Sequence, residues 1–394
     1  MLKVKKEYYR LVNRLFVRNE FFKNKSLLLK NVFKREYKKH VLISYVTTPF
    51  LKKKAGNSHS NSLECQTAAE IFDELGFCVD IIPLTISANG IDVKKYSCVY
   101  GLGDIFLEAF RDPNIRTIVY APGCSSRFSR PATLMALYRF YGVHGVFVPE
   151  SARLCSDFSE VLYFSDLIIP LGNSFVAGTY RVGDVMQNIG CLQGFYYDVY
   201  DINLLEKDFS KAHGNFLWFG SRGAIHKGLD IVLDVFKRRV DINLFVCGFS
   251  SRETGFQECY TDELENRVEN IKNMGFLDIN GSQFKKIMNM CSAVLYPSAS
   301  EGGAIAILNV MANGGLIPII SRSTGLDVEK YGFMFNELSA SSLEAQIDKL
   351  MVRDEVELQE LSIRVKEETR LGYSFSRYRS NLKKLIKEGI KKED

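Results

Sequence analysis

The chain of 394 residues has no apolar run of the 18 or more residues that a membrane span needs. The longest candidate, Ile305 to Ile320, is broken by Asn309, Asn313, Gly314, Gly315 and Pro318, so a transmembrane helix is not expected. None of its nine cysteines pair as CxxC, which argues against a zinc knuckle or a disulfide framework and for a reducing cytoplasm. No Asp-x-Asp motif occurs, and no Cys/His cluster has metal-ligand spacing, so no metal is expected. The first 40 residues lack the apolar core and small-residue cleavage site of a secretory signal. GLGD, residues 101–104, has two glycines of a dinucleotide loop but lacks the third, which argues against NAD. Low-complexity tracts and short repeats are missing as well.

What is present is a chain able to bury a large core. Hydrophobic residues make up 46% and charged residues 25%, which excludes a disordered or collagen-like protein. At roughly 100–200 residues per domain, the length predicts two domains. The net charge of +5 is unevenly spread. Residues 1–39 hold 13 Lys/Arg and 3 Asp/Glu, a net of +10, so the rest of the chain is acidic. In this basic segment Tyr8, Leu11, Val12, Leu15 and Phe16 share one helical face, with Lys6, Arg10 and Arg14 roughly opposite. A second apolar cluster runs from Phe21 and Phe22 through Leu27–Leu29 to Val32 and Phe33. Two readings stay open: a helical extension docked on the body, or a surface helix meeting anionic lipid headgroups. The second would place a cytoplasmic protein peripherally on the inner face of the cytoplasmic membrane. Nucleic acid is not expected as a partner, since no base-reading motif accompanies the basic residues.

Beyond residue 40, short apolar strands alternate with helices. Strands are predicted at 41–46, 78–84, 97–102, 117–122, 145–149 and 166–172, and a helix over Leu63–Leu75 that ends at Gly76. The second half repeats the style, with strands at 215–220, 242–248, 293–298 and 315–321 and helices near 227–239, 260–270, 282–291 and 304–313. Residues 173–212 are poorly periodic and suit a linker. The fold class is α/β: two doubly wound, Rossmann-like parallel-sheet domains. The expected division is a basic helical extension at 1–40, a first domain at 41–205 and a second at 206–372. A final helix at 373–394 could cross back to the first domain, and its Tyr378, Leu382, Leu385 and Ile386 share a face. Ligands of such sheets sit beyond the carboxyl ends of the strands.

Two loops there carry chemistry. In NFLWFGSRGAIHKGLDIVLDVF (215–236) a strand, a glycine loop and a helix follow one another, with Arg222, His226 and Lys227 near the helix start, where an anion is favoured. A solvated basic loop is the alternative. In YPSASEGGAIAILNVMANGGLIPIIS (296–321), Glu301-Gly302-Gly303 opens a helix, and Glu301 could equally be a capping charge. Lys227 and Glu301 are expected to face a cleft, exposed. His144, His213 and His226 are isolated in sequence and read as surface or loop positions.

These two segments together resemble the nucleotide-sugar domain of family 4 of the glycosyltransferases, whose fold is GT-B. HSNSLECQTAAEIFDELGFCVDII (59–82) and LGNSFVAGTYR (171–181) are similar to the first domain of a bacterial surface-polysaccharide subgroup. The matched stretches run over roughly residues 41–330. The resemblance implies a retaining, metal-independent transfer of sugar from a nucleoside diphosphate to a glycan or lipid-linked glycan hydroxyl. It implies Lys227 on the donor diphosphate, assisted by Arg222. Ser221 stands where relatives place an Arg directly after the loop glycine. Glu301 matches the first Glu of the Glu-x7-Glu region, near the donor sugar. Gly302, Gly303 and Ala304 would offer N–H groups to phosphate. The second Glu, a ribose ligand in relatives, falls at Asn309. Gly56, His59, Asn61 and Glu64 are implied on the acceptor side, with His59 joining Lys227 and Glu301 as catalytic candidates. Relatives carry a His after a Tyr-Ala-x-Gly loop; this chain reads YAPGCSSRF, with Cys124, Ser125 and Ser126, and Arg127 or Arg130 could substitute. A sugar-nucleotide epimerase and a non-catalytic sugar-nucleotide or glycan-binding subunit are the competing readings of the same fold.

Overall fold

The computed structural model describes residues 28–51, 60–85, 91–155, 159–183 and 188–391. The first sheet contains β1 (Lys39–Tyr45), β2 (Phe77–Pro83), β3 (Cys98–Gly101), β4 (Arg116–Ala121) and β5 (Leu167–Pro170), in the order β2-β1-β3-β4-β5. All pairings are parallel. Near-continuous apolar runs such as Val41–Ile43 are what a strand needs when both faces of its sheet are covered. The second sheet contains β6 (Asn215–Phe219), β7 (Asn243–Cys247), β8 (Ile271–Gly275), β9 (Ala293–Tyr296), β10 (Ile317–Ser321) and β11 (Phe333–Phe335). Its order, β11-β10-β9-β6-β7-β8, is also parallel throughout. The chain is therefore α/β, with two parallel-sheet Rossmann-like domains. Among the described residues, no helix is long and apolar enough to cross a membrane.

Helices α1 (Ser60–Glu74), α2 (Ser126–His144), α3 (Leu229–Phe236), α4 (Ile305–Gly314), α5 (Glu355–Gly372) and α6 (Phe375–Gly389) position the site. α6 begins at Ser374, whose hydroxyl accepts the Arg377 N–H as an N-cap. It packs on the first sheet, burying Tyr378, Leu382 and Ile386 among Val41, Ile43 and Tyr120. α2 follows β4 of the first sheet, yet its Ala136, Leu137 and Phe140 belong to the core of the second domain. The Phe140 ring stacks on Phe256 at 5.7 Å, and Arg139 reaches Asp230 at 2.6 Å.

Three expectations are corrected. Residues 145–149 form no strand: Gly145 caps α2 in the left-handed conformation, and Pro149–Ser151 is a short 3-10 helix. Val148 is buried in the second core, so this apolar stretch is spent on crossing between domains rather than on pairing. The helix expected over 260–270 is only Thr261–Leu264, after which the chain turns into β8. Within the extension expected to be helical to residue 40, residues 28–38 contain no helix. They run antiparallel beside β2, with Leu29 and Ile81 exchanging both backbone hydrogen bonds, because the edge of β2 otherwise leaves unpaired N–H and C=O groups. The helical face of Tyr8 to Phe16 lies outside the described residues.

Candidate active site between the two domains

The loops after β4, β6 and β9 meet where the two sheets face each other. They enclose a cavity of about 530 Å³, lined from the first domain by Gly123, Ser129 and Arg153 and from the second by Arg222, His226 and Glu301. The approach is close. A Cβ on Gly302 would stand 2.3 Å from the Pro122 carbonyl oxygen and 2.4 Å from Gly123 Cα, so only glycine fits there. The Cys124 thiol donates to the Glu301 carbonyl at 3.2 Å, and burial pushes that thiol up to about 11, so it keeps its proton.

Glu301 follows β9 and precedes α4. Its carboxylate accepts from the Tyr296 hydroxyl at 2.9 Å and from Arg153 at 3.3 Å, across the domain boundary. Burial raises the Glu301 carboxyl, but Arg153, Lys227, His226 and Tyr296 outweigh it and hold it below the usual carboxylate range. The site therefore keeps a fixed negative charge among cations.

Lys227 ends the turn before α3. It is only 5% exposed, which corrects the expectation of an exposed lysine. Its ammonium donates to Ser221 Oγ at 2.8 Å, and burial, partly offset by Glu301, drops it to about 8. The turn is tight because Gly228 is left-handed and a Cβ there would lie 2.2 Å from the Pro297 carbonyl oxygen. His226, read from sequence as a surface or loop position, is buried. Nε2 meets the Ser300 carbonyl at 2.6 Å and so carries the proton; Nδ1 accepts from the Thr133 hydroxyl of α2 at 2.8 Å. Burial lowers it to about 4, so it is neutral at pH 7. Arg222 is exposed on the cavity wall.

The structure thus brings Ser221, Arg222, Lys227, Glu301 and Gly302 together. Gly303 and Ala304 follow in the same loop, both at positive φ. Asn309 is engaged away from the cavity. Its Oδ1 accepts the Tyr197 N–H at 2.7 Å, tying α4 to the interdomain segment. Glu64 does not face a cleft. It is buried in the first domain with Oε2 accepting the Tyr45 hydroxyl at 2.8 Å, because a carboxylate on the inner face of α1 needs a donor there. Asn61 is half-buried in the first turn of α1 and is not a lining residue of the cavity. Arg127 and Arg130 point outward from α2, Arg127 lying 5.5 Å over the Tyr163 ring. Gly56 and His59 lie outside the described residues.

Sequence reasoning missed Arg153, Thr133 and Glu253. Glu253 is buried and accepts the Gly223 and Ala224 N–H groups at 2.7 and 2.9 Å, shaping the loop before Lys227, and the Ser151 hydroxyl of the first domain bonds it as well. None of the three stands in a motif, and only the crossing after β4 brings Arg153 and Thr133 to the second domain.

No curated protein matches the chain. Among solved structures, the catalytic domain of starch synthase IV from Arabidopsis thaliana, bound to ADP and acarbose, is similar at a TM-score of 0.58 and 10% identity, over 90% of this chain and 100% of that one. Anabaena Alr3699/HepE in complex with UDP-glucose gives 0.56 at 12% identity, over 89% and 99%. A mutant of S. aureus TarM, in complex with fondaparinux, alpha-GlcNAc-glycerol and UDP, gives 0.51 at 12% identity over 75% of this chain and 55% of that one. The chain spans about half the length of TarM. At these identities the likeness establishes the GT-B fold. Residues 203–370 match the family model described as Glycosyl transferases group 1.

Proposed function

We propose that the chain is a glycosyltransferase that moves a sugar from a nucleoside-diphosphate sugar to a hydroxyl of a glycan or lipid-linked glycan, in surface-polysaccharide synthesis. The observation that carries this reading is the meeting of Glu301, Arg222 and Arg153 around one interdomain cavity, with Lys227 buried beside its wall on Ser221. Its volume, about 530 Å³, suits a small-molecule ligand. The bond that breaks joins the sugar to the diphosphate, and negative charge develops on the leaving oxygen. Lys227 and Arg222 stabilise it by electrostatic preorganisation, and the Gly302–Ala304 segment offers backbone N–H groups. Glu301 stands at the sugar, held ionised by Arg153. In this reading the cations take the place of a metal, and the transfer retains anomeric configuration. His59 and Asn61 belong to the acceptor side. The basic residues 1–39 hold the enzyme at the inner face of the cytoplasmic membrane.

A second reading, a non-catalytic sugar-nucleotide-binding subunit, is favoured by one observation: the side chain of Asn309 is occupied by Tyr197 rather than free for a ribose hydroxyl. A thermal-shift screen against UDP, GDP, CDP and their sugars, followed by NMR of the products, tests both. A ligand at 100 times its dissociation constant stabilises by about 2.7 kcal/mol. Binding with slow donor hydrolysis or transfer supports the enzyme, binding without turnover supports the subunit, and no binding refutes both.

A further inference from the structure

The outward face of α2 is unlike an ordinary solvent-facing helix surface, which carries mixed charges and polar groups. The exposed positions from Arg127 to Tyr141 are two arginines, Pro131, Leu134, Met135 and two tyrosines, with no acid and no amide or small hydroxyl among them. Leu134, Met135, Tyr138 and Tyr141 are 40, 71, 66 and 48% exposed. The inward face is already committed to the second domain through Ala136, Leu137 and Phe140, so these outward apolar groups are surplus to the fold. The surface continues onto the neighbouring helix Ser159–Phe164, where Arg127 lies over Tyr163 and Phe164 is exposed.

The charged side chains exposed on the described part of α2 are both arginines. Arg127 and Arg130 sit in the first turns of α2, where the helix dipole disfavours cations, so they do not serve the helix. Arg181 lies near the same corner, since Thr179 bonds Ser125 at the start of α2. Arg322 is exposed over the Phe175 ring, which itself packs edge-on against Phe128 of α2. None of these four arginines forms an ion pair among the described residues. Arginine and tyrosine set around Leu and Met is the chemistry of a bilayer interface: apolar groups enter the acyl boundary while guanidinium and phenol groups remain at the headgroups.

We infer that the outward face of α2, with Arg127, Arg130, Arg181 and Arg322, docks on an anionic phospholipid surface. The inference rests on the glycosyltransferase reading for its purpose. Ser126 and Ser129 of the same helix line the cavity, so docking would bring a lipid-linked acceptor to the cavity mouth. None of the four arginines belongs to the basic residues 1–39.

The test is flotation of the full-length chain with phosphatidylglycerol/phosphatidylcholine vesicles and with pure phosphatidylcholine at about 0.15 M salt. Binding is expected only to the anionic vesicles. Arg127→Gln with Arg130→Gln lowers the partition coefficient about 30-fold, because each basic side chain at an anionic surface contributes about a factor of five. Leu134→Ser with Tyr138→Ser also lowers it while leaving the thermal shift by donor nucleotide unchanged, which separates this surface from the donor site. Replacement of Lys3, Lys5, Lys6, Arg10 and Arg14 by Gln leaves binding that the α2 variants still lower. The inference is overturned if anionic vesicles do not bind the chain, or if both α2 variants float like the parent. It is overturned equally if Leu134→Ser with Tyr138→Ser instead abolishes a concentration-dependent dimer, which would make the occupant a second copy.

Discussion

Lys227→Met should make the protein more stable and inactive at once. The ammonium is 5% exposed, and burial drops it from 10.5 to about 8 despite Glu301 nearby. A base whose folded pKa is depressed costs stability wherever the unfolded chain holds the proton and the folded chain holds it less readily. The cost is absent above 10.5, grows as pH falls through the window between 10.5 and about 8, and is complete below it. At 1.36 kcal/mol per pKa unit, it amounts to about 3 kcal/mol at pH 7. Methionine keeps most of the volume and removes the charge, while giving up the hydrogen bond to Ser221, worth about 1–2 kcal/mol. The expected net gain is about 1–2 kcal/mol, or a rise in Tm of about 2–8 °C for a domain of this size. The assay is calorimetric melting of parent and variant at pH 7 and pH 9. The gap should narrow at pH 9, where the folded parent has shed most of this proton while the unfolded chain keeps it. Sugar transfer should fall by about 10²–10³, because the leaving diphosphate loses its fixed cation. A variant that melts at or below the parent at pH 7 would refute the reasoning, since the buried charge would then be stabilising in the free protein.

Glu301→Gln should lower transfer by about 10²–10³ in a donor-turnover assay while the fold, read by circular dichroism, persists. Transfer should survive EDTA, because Lys227, Arg222 and Arg153 supply the positive charge; loss restored by Mn²⁺ or Mg²⁺ would contradict this. Gly302→Ala should push the Pro122–Gly123 segment away and reduce turnover, and a crystal structure of the variant should show the two loops farther apart. Arg139→Met leaves Asp230 buried without its cation and should cost about 3–5 kcal/mol in denaturant unfolding.

The sheets were legible because their strands are buried on both faces, so apolar runs such as Val41–Ile43 and Ala293–Tyr296 stand out without reference to partners. The failures share one cause. Residues 145–149 have a strand's composition, but whether Val148 pairs in a sheet or plugs the second core is decided by tertiary contacts alone. β8, with the sequence Ile-Lys-Asn-Met-Gly, is polar because it is the edge strand beyond β7, and so gives no run to read. At the site, the donor-side loops were readable as glycine loops beside helix starts. Arg153 and Thr133 were not, because their partners Glu301 and His226 lie 148 and 93 residues away. Glu64 shows the opposite error. Its motif suggested a cleft, and the Tyr45 hydroxyl from β1 claims it instead.

α2 links these observations. A helix that follows β4 would ordinarily cover its own sheet, but here one of its faces is sunk in the other domain. Thr133 bonds His226, Arg139 bonds Asp230, and His144 meets the Tyr260 hydroxyl at 3.1 Å, three polar ties along one helix. His226 passes the first tie on to the Ser300 carbonyl, one residue before Glu301. The carboxylate's position is thus set from both domains: by Tyr296 from below, by Arg153 from the side, and through His226 by α2. Separating the domains would break the Arg153–Glu301 pair, the largest of the influences that lower this carboxyl, and would relieve part of the burial that raises it. The surroundings of Glu301 and the closure of the domains are therefore built from the same contacts, and a single helix carries both the packing of the interface and a hydrogen-bonded route to the loop that holds the carboxylate.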